Sequence, residues 1–156
     1  MSSFRVAACL VGLIASAELS AQDSMLEMCT LAGCSSAVYI PVRGLPSPLP
    51  SGSYRVEAFL DGQLIACEAT AVVGNEAVSC ASEPRAPWVQ LRLGPQEHTI
   101  TIGSAAPRHL KVRLLRSGEQ LSVLEIDPGP YRVRQPNGPE CGPICLFAGP
   151  FYLVVQ

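Results

Sequence analysis

One pair of adjacent residues, Asp61-Gly62, constrains the fold more than any other feature, because alternating apolar runs flank it on both sides. A two-residue turn of type I′ needs positive φ at both central positions, which Asp-Gly readily adopts. A hairpin centred there places Arg55 opposite Glu68, an ion pair across the strands. It also brings apolar residues together on the other face: Ala58 beside Ile65, Val56 beside Cys67, and Tyr54 beside Ala69. Two independent features therefore predict one register, with Cys67 pointing inward.

A second turn candidate, Gly74-Asn75, leads into another alternating run that contains Cys80. A tight turn there puts Cys80 opposite Ala69, so that a Cys67–Cys80 bond would be diagonal and long for a disulfide. A longer loop over Val72–Asn75, or a bulge, would bring the two cysteines opposite each other. We therefore expect a Cys67–Cys80 disulfide between consecutive antiparallel strands joined by a widened turn.

Two more turns predict hairpins in the same way. A turn centred at Pro95-Gln96 and a turn at Ser117-Gly118 each join runs that alternate apolar and polar residues. The predicted partners are Leu91 with Ile100, Val89 with Ile102, Leu114 with Leu121, and Val112 with Val123. The next pair, Leu110 with Glu125, breaks the apolar pattern, so we expect a bulge or a strand end near Leu124–Ile126.

These hairpins, with strands about ten residues apart, predict an all-β fold: an antiparallel β-sandwich of roughly eight to ten strands. An up-and-down barrel is the alternative. The proline-rich connections Gly44–Gly52 and Gln135–Pro150 favour the sandwich. The pattern resembles an immunoglobulin-like or fibronectin-like sandwich, although Trp88 follows both core cysteines, whereas in immunoglobulin domains the tryptophan lies between them.

The N-terminus has the layout of a secretory signal peptide. Met1–Arg5 carries a positive charge, Val6–Ala17 is apolar, and small residues follow. We expect cleavage after Ala21, with Ala17 as the alternative, so that residues 1–21 are the signal, 22–36 an N-terminal arm and 37–156 the sandwich domain. The apolar run is shorter than the roughly 20 residues that span a bilayer, which disfavours an uncleaved anchor. The protein is predicted to be secreted or periplasmic, with no stable membrane span after cleavage.

Charge argues against one class of partner. The chain has 156 residues and a formal net charge of −2. A near-neutral domain lacks the excess of positive charge that nucleic-acid binding needs. Most of the positive charge after cleavage lies in the C-terminal half, interleaved with Glu119, Glu125 and Asp127, which is typical of a solvated strand face.

The cysteines predict disulfides. Seven cysteines become six if Cys9 leaves with the signal, and an even number in an exported chain indicates a disulfide framework. Six cysteines allow many connectivities. Pairing each cysteine with its nearest neighbour in sequence gives Cys29–Cys34, Cys67–Cys80 and Cys141–Cys145.

No catalytic, metal-binding or cofactor-binding motif is present in the sequence. His98 and His109 have no acidic or cysteine partner at ligand spacing, and a metal site needs three or four converging ligands. No GxSxG sequence marks a serine nucleophile, and Glu125 and Asp127 only flank a strand end. The spacing Cys141-x-x-x-Cys145 is not that of a thioredoxin-like redox site. We therefore expect a protein that is not an enzyme and carries no cofactor.

The stretch Tyr131–Cys145, YRVRQPNGPECGPIC, is the most idiosyncratic part of the chain. Its Pro-Asn-Gly-Pro-x-Cys segment resembles the C-terminal segment of small, uncharacterised exported proteins of Gram-negative bacteria, a resemblance that implies no activity. A loop pinned by disulfides displays side chains rigidly, and loops carry function more often than strands do. The candidate binding residues on this loop are Arg132, Arg134, Asn137 and Glu140.

The sequence thus predicts an exported, disulfide-stabilised, non-catalytic module that has a binding or structural role and recognises a protein or a glycan through its loops. One alternative is a secreted inhibitor of a hydrolase such as a protease, which would present one pinned loop. Another is a small hydrolase, which would need an acid or a histidine beside a serine or an aspartate in a cleft.

Overall fold

The computed structural model describes residues 33–72, 78–82, 87–95, 97–138 and 141–156. The predicted signal peptide, Cys29 and Glu140 lie outside the described residues. Across the described ranges we find no helix with the length and apolar character needed to cross a bilayer.

The described residues form eleven strands in two sheets. In chain order these are β1 (Ala37–Arg43), β2 (Gly52–Leu60), β3 (Gln63–Ala71), β4 (Val78–Ala81), β5 (Trp88–Leu93), β6 (His98–Gly103), β7 (Leu110–Arg116), β8 (Glu119–Ile126), β9 (Arg132–Arg134), β10 (Cys145–Ala148) and β11 (Leu153–Val154). One sheet has the order β4-β5-β6-β1-β10-β9, with β11 also paired to β1, and the other has the order β3-β2-β7-β8. The predicted β-sandwich is confirmed, whereas its immunoglobulin-like character stays a prediction.

The first predicted hairpin is confirmed in register and in turn geometry. β2 and β3 pair with Arg55 opposite Glu68 and Val56 opposite Cys67. Asp61 and Gly62 have φ values of 48° and 91°, so both central positions have the positive φ that the turn requires. The register of this hairpin can therefore be predicted from local sequence information alone.

The other two hairpins differ in outcome. β5 and β6 pair as predicted, with Leu91 opposite Ile100 and Val89 opposite Ile102. β7 and β8 turn at Ser117-Gly118 as expected, but the register shifts between Leu114 and Leu115, so that Leu114 faces Ser122 instead of Leu121. The predicted bulge exists, but it lies beside the turn and not near Leu124–Ile126.

The chain changes sheets between β3 and β4. Cys67 lies on β3 in the four-stranded sheet and Cys80 on β4 in the seven-stranded sheet, with their Cα atoms 5.8 Å apart in a disulfide. The predicted Cys67–Cys80 bond is therefore confirmed, but the widened turn between paired strands is wrong. The bond joins the two sheets of the sandwich along one edge.

The second disulfide corrects the nearest-neighbour pairing. Cys34 bonds to Cys145 with a Cα–Cα distance of 6.1 Å, so the predicted pairs Cys29–Cys34 and Cys141–Cys145 are wrong. The reason is that β10 runs parallel to β1, with Ala37 opposite Phe147, and this pairing carries Cys145 to the segment that leads into β1, where Cys34 lies. Cys141 is also disulfide-bonded and buried.

The C-terminal segment contains two short strands, β10 and β11. The predicted loop Gln135–Pro150 includes β10, and both β10 and β11 pair in parallel with β1. Gly149, at the break between them, has φ of 103°, and a Cβ atom there would collide with the carbonyl oxygen of Tyr39. This break raises the strand count to eleven and gives the mostly antiparallel sheet two parallel pairings.

The core lies between the sheets and comes from every second residue of the long strands. Tyr54, the largest fully buried side chain, donates its hydroxyl to the carbonyl oxygen of Pro50 at 3.0 Å, so its polar atom is satisfied. The fully buried aliphatic residues include Val38, Ile40, Val56, Val89, Leu91, Ile100, Ile102, Val112 and Leu114. The alternate residues point outward and form the two outer faces of the sandwich.

Candidate ligand-binding groove

The outer face of the four-stranded sheet carries charges that pair with one another. Glu57 accepts contacts from Arg55 at 3.0 Å and from Arg113 at 2.5 Å, and its side chain is only 12% exposed. Lys111 pairs with Glu125 at 2.9 Å. We call this surface the ion-paired face. Each positive charge named here is paired with a carboxylate of the same face, so the face attracts a charged ligand only weakly.

The outer face of the seven-stranded sheet carries a groove of about 660 Å³. Strand β1 builds one wall, since its inward residues alternate with Tyr39, Pro41 and Arg43. Val42 and Gly44, at the end of β1, continue this wall. The other lining residues come from distant parts of the chain: Glu97 and His98 where β6 begins, and Pro150 and Tyr152 between β10 and β11. We call this surface the groove face.

Tyr39 and Glu97 are joined across the groove. The Tyr39 hydroxyl donates to Oε1 of Glu97. This hydrogen bond, together with burial and the carboxylate charge, raises the pKa of Tyr39 above its ordinary value. The tyrosine therefore stays protonated across the physiological range and keeps its ring fixed against the carboxylate.

Arg43 and Tyr152 form the opposite end of the groove. The guanidinium carbon of Arg43 lies 5.2 Å from the centroid of the Tyr152 ring, within the range of a cation–π contact. Backbone hydrogen bonds hold this end in place: Phe151 N–H donates to the Tyr39 carbonyl at 3.1 Å and Val155 N–H to the Arg43 carbonyl at 2.8 Å. The pairing of the C-terminal segment with β1 therefore positions both aromatic rings.

His98 completes the lining. Its Nδ1 atom is buried and has no hydrogen-bond partner among the described residues, and burial lowers the pKa of the imidazole below its ordinary value. The side chain is therefore neutral at pH 7. A neutral imidazole adds a partly apolar surface to the groove instead of a further positive charge.

Two smaller depressions adjoin the groove on the same face. One, of about 340 Å³, shares Glu97 with it and is also lined by Arg92. The other, of about 260 Å³, shares Tyr39 and Pro150 with it and is also lined by Arg132. The three depressions therefore lie side by side across the sheet, with the aromatic groove between the other two, and we call them together the path.

The predicted loop residues have different positions. Arg132 and Arg134 are exposed on β9, and Arg132 donates from Nη2 to the carbonyl oxygen of Gly149 at 3.0 Å. Asn137 is partly buried and donates from Nδ2 to the carbonyl oxygen of Gly142 at 2.6 Å, which fixes the loop. Only Arg132 of these residues borders the path. The role of the set in binding stays a prediction.

His109 has acidic neighbours that its spacing in the sequence did not indicate. Its Nδ1 lies 3.0 Å from Asp127 and its Nε2 3.3 Å from Glu125, and the hydrogen bond to Asp127 is the main cause of the raised pKa of His109. The bulge explains the miss, because the shifted register sets Lys111 opposite Glu125 and, continued past the strand ends, His109 opposite Asp127. Within the described ranges, no group of three or more His, Cys, Asp or Glu side chains could hold a metal ion.

The groove residues were missed in the sequence, although one signal was available. The alternation Val38, Ile40, Val42 predicts an outward Tyr39 and Arg43 on β1. Nothing local indicates that Glu97 and Tyr152 join them.

No family model matches the chain, and searches of curated proteins and of solved structures also return no match.

Proposed function

We propose that this protein is an exported, non-catalytic module that binds a glycan in the groove on the groove face. The observation that carries the proposal is the composition of the groove: two tyrosine rings, a guanidinium and a carboxylate line one depression. Binding sites of this kind combine apolar, aromatic walls with a few polar groups that fix orientation.

The chemistry of a sugar ring fits such a surface. One side of a pyranose presents C–H groups, which pack on an aromatic ring, and its edges present hydroxyl groups, which need both donors and acceptors. Tyr39 and Tyr152 supply the aromatic surface, Glu97 supplies an acceptor, and Arg43 supplies donors. Each class of group on the sugar therefore has a counterpart in the groove.

The groove is also held in shape before a ligand arrives. The hydrogen bond between Tyr39 and Glu97 and the contact of Arg43 with Tyr152 already restrict these side chains. A restricted site loses less conformational entropy on binding than a flexible one, which favours affinity. Disulfide bonds add to this rigidity and belong to an oxidising compartment outside the cytoplasm, which supports export.

The test is binding of the purified protein to a panel of soluble polysaccharides, measured by affinity electrophoresis and calorimetry. Tyr39→Ala and Tyr152→Ala are expected to weaken binding by at least tenfold. Leu64→Ala is the matched control, because Leu64 is an exposed apolar residue on the other sheet and is expected to leave affinity unchanged. The proposal fails if no polysaccharide binds, or if the tyrosine variants bind as tightly as the wild type.

One observation favours the second candidate function, inhibition of a hydrolase. The tripeptide Gly142-Pro143-Ile144 is exposed between two buried, disulfide-bonded cysteines, and Ile144 is 61% exposed. An exposed apolar residue on a pinned loop is the form in which many protease inhibitors meet their targets. Titration of a protease panel with wild type and with Ile144→Asp tests it: stoichiometric inhibition that the variant loses supports this role.

A further inference from the structure

The path across the groove face carries positive charges that no described residue neutralises through an ion pair. Arg43, Arg92 and Arg132 line it, against one carboxylate, Glu97. Among the described residues, none of these three arginines forms an ion pair: Arg43 contacts an aromatic ring and Arg132 a backbone carbonyl. Glu97 is itself engaged by the Tyr39 hydroxyl.

The ion-paired face shows that this is not a general property of the protein. There Arg55, Lys111 and Arg113 each meet a carboxylate within 3.5 Å. The net charge of the whole chain is −2, so overall charge does not attract an anion either. The unpaired arginines are a local feature of the face that holds the groove.

The positions of the arginines follow the path. Arg92 lies in the depression that adjoins the groove at Glu97, Arg43 lies in the groove, and Arg132 lies in the depression that adjoins it at Tyr39. A ligand that met all three would have to be extended and to carry its own charges at intervals. A single charged monosaccharide could reach only one depression.

We infer that the ligand is a linear acidic polysaccharide, whose oxyanion groups pair with Arg92, Arg43 and Arg132 while one sugar ring occupies the aromatic groove. This inference rests on the proposed function and names its ligand class. Guanidinium groups suit it because their forked donors bind carboxylate and sulfate oxygens in pairs. The negative group is a uronic-acid carboxylate or a sulfate ester, since both offer negatively charged oxygen acceptors to a guanidinium.

The experiment compares three probes: polygalacturonate, its fully methyl-esterified and therefore neutral form, and dextran sulfate. Each is titrated into the purified protein by calorimetry at low and at moderate salt. We expect at least tenfold tighter binding of an acidic probe than of the neutral one, and a loss of that advantage as salt rises. Preference for polygalacturonate assigns the carboxylate, and preference for dextran sulfate assigns the sulfate.

Charge-matched variants locate the effect. Arg92→Gln, Arg43→Gln and Arg132→Gln are each expected to weaken binding of the acidic probe about tenfold, the size expected for one hydrogen bond to a charged group. Arg55→Gln removes the same charge from the ion-paired face and is expected to change affinity less than twofold. Equal losses from Arg55→Gln and Arg92→Gln would overturn the inference, because the attraction would then be unspecific.

The neutral probe separates this inference from the proposed function. If neutral and acidic forms bind equally well, and Tyr39→Ala abolishes both, the glycan groove stands and the acidic ligand is wrong. If none of the probes binds, and the wider panel fails too, the proposed function falls and the inference falls with it.

Discussion

The two outer faces of this sandwich carry similar charged residues but arrange them differently. On the ion-paired face, Glu57 is held between Arg55 and Arg113, and the charges satisfy one another. On the groove face, arginines and a carboxylate lie beside aromatic rings, and within the part of the chain that the structure describes they form no ion pairs. Charged groups that are already paired favour the folded state, whereas groups left unpaired on a structured surface remain available to a ligand.

The contrast follows from how each sheet is built. The four-stranded sheet is made of hairpins plus the β2–β7 pair, so its cross-strand charges come from long, regular ladders. The groove face gathers β1, the β5–β6 hairpin and the C-terminal segment, which are remote in sequence. Irregular junctions such as the break at Gly149 leave depressions that a regular ladder would fill.

The largest expected effect comes from the disulfides. Removing both cysteines of the Cys34–Cys145 pair, which lie 111 residues apart, is expected to lower stability by about 4 to 5 kcal/mol, as chain entropy predicts for a loop of this length. Removing the Cys67–Cys80 pair, 13 residues apart, is expected to cost about 3 kcal/mol. Guanidinium unfolding measures both.

The same variants also test whether the two disulfides contribute differently to the groove face. Loss of Cys34–Cys145 frees the strand that leads into Tyr152, so glycan affinity is expected to fall along with stability. Loss of Cys67–Cys80 detaches the sheets at the β4 edge, beside the Arg92 depression but away from Tyr39 and Tyr152, and is expected to lower affinity less than loss of Cys34–Cys145 does. A larger fall in affinity on loss of the second pair would contradict this view of how the groove is held.

Next in size is a substitution on the groove face that affects packing and not charge. Trp88 pairs with Gly103, and a Cβ atom at position 103 would overlap the indole ring. Gly103→Ala is expected to displace the ring and cost about 1 to 3 kcal/mol. Trp88 is the single tryptophan, so its fluorescence reports the displacement directly. Gly129→Ala is the matched control, because a Cβ atom at position 129 would lie in open space. Gly118→Ala is unsuitable as a control, because Gly118 has a positive φ.

One chemical change made on each face then separates folding from binding. Glu57→Gln leaves Arg113 without its carboxylate and is expected to cost about 1 to 2 kcal/mol of stability without altering glycan affinity. Glu97→Gln is expected to leave the unfolding midpoint nearly unchanged and to weaken binding of the neutral probe, because an amide oxygen accepts a sugar hydroxyl less strongly than a carboxylate does. If both variants lowered stability equally, the two faces would not differ as described.

The smallest expected effect is a difference between the two faces in how their histidines make stability depend on pH. The two histidines of the chain are expected to titrate on opposite sides of the ordinary value, because burial lowers the pKa of His98 and the hydrogen bond to Asp127 raises that of His109. His98 then contributes stability that is present above its unfolded pKa and lost as pH falls through the folded pKa. His109 contributes stability that is present below its unfolded pKa and lost as pH rises through the folded pKa. Imidazole signals in an NMR titration identify the order, with His98→Gln as the assignment control.

Local features of the sequence were enough for part of this fold. The Asp61-Gly62 and Pro95-Gln96 hairpins follow from turn chemistry and from which residues face inward, and both registers are confirmed. The β7–β8 bulge was placed wrongly, because an unpaired residue beside a turn changes the pairing without disturbing the apolar pattern enough to reveal its position.

The remaining features depend on contacts between remote segments. Nearest-neighbour pairing of cysteines failed at Cys34 because the decisive step is the parallel pairing of β10 with β1, which leaves no local signal. The groove was missed for the same reason. Tyr39 could be recognised as outward from the alternation on β1, but its meeting with Glu97 and Tyr152 is a product of tertiary folding.

The position of β10 and β11 near the end of the chain affects the order in which the fold forms. One side of β1 pairs with β6, and the other side pairs with residues that follow it by more than 100 positions in the chain, as Ala37 pairs with Phe147. Contacts this remote form slowly, after the nearer hairpins. Because the same residues carry Tyr152 into place, the groove is expected to be complete only in the final stage of folding. Ligand affinity would then serve as an assay of completed maturation.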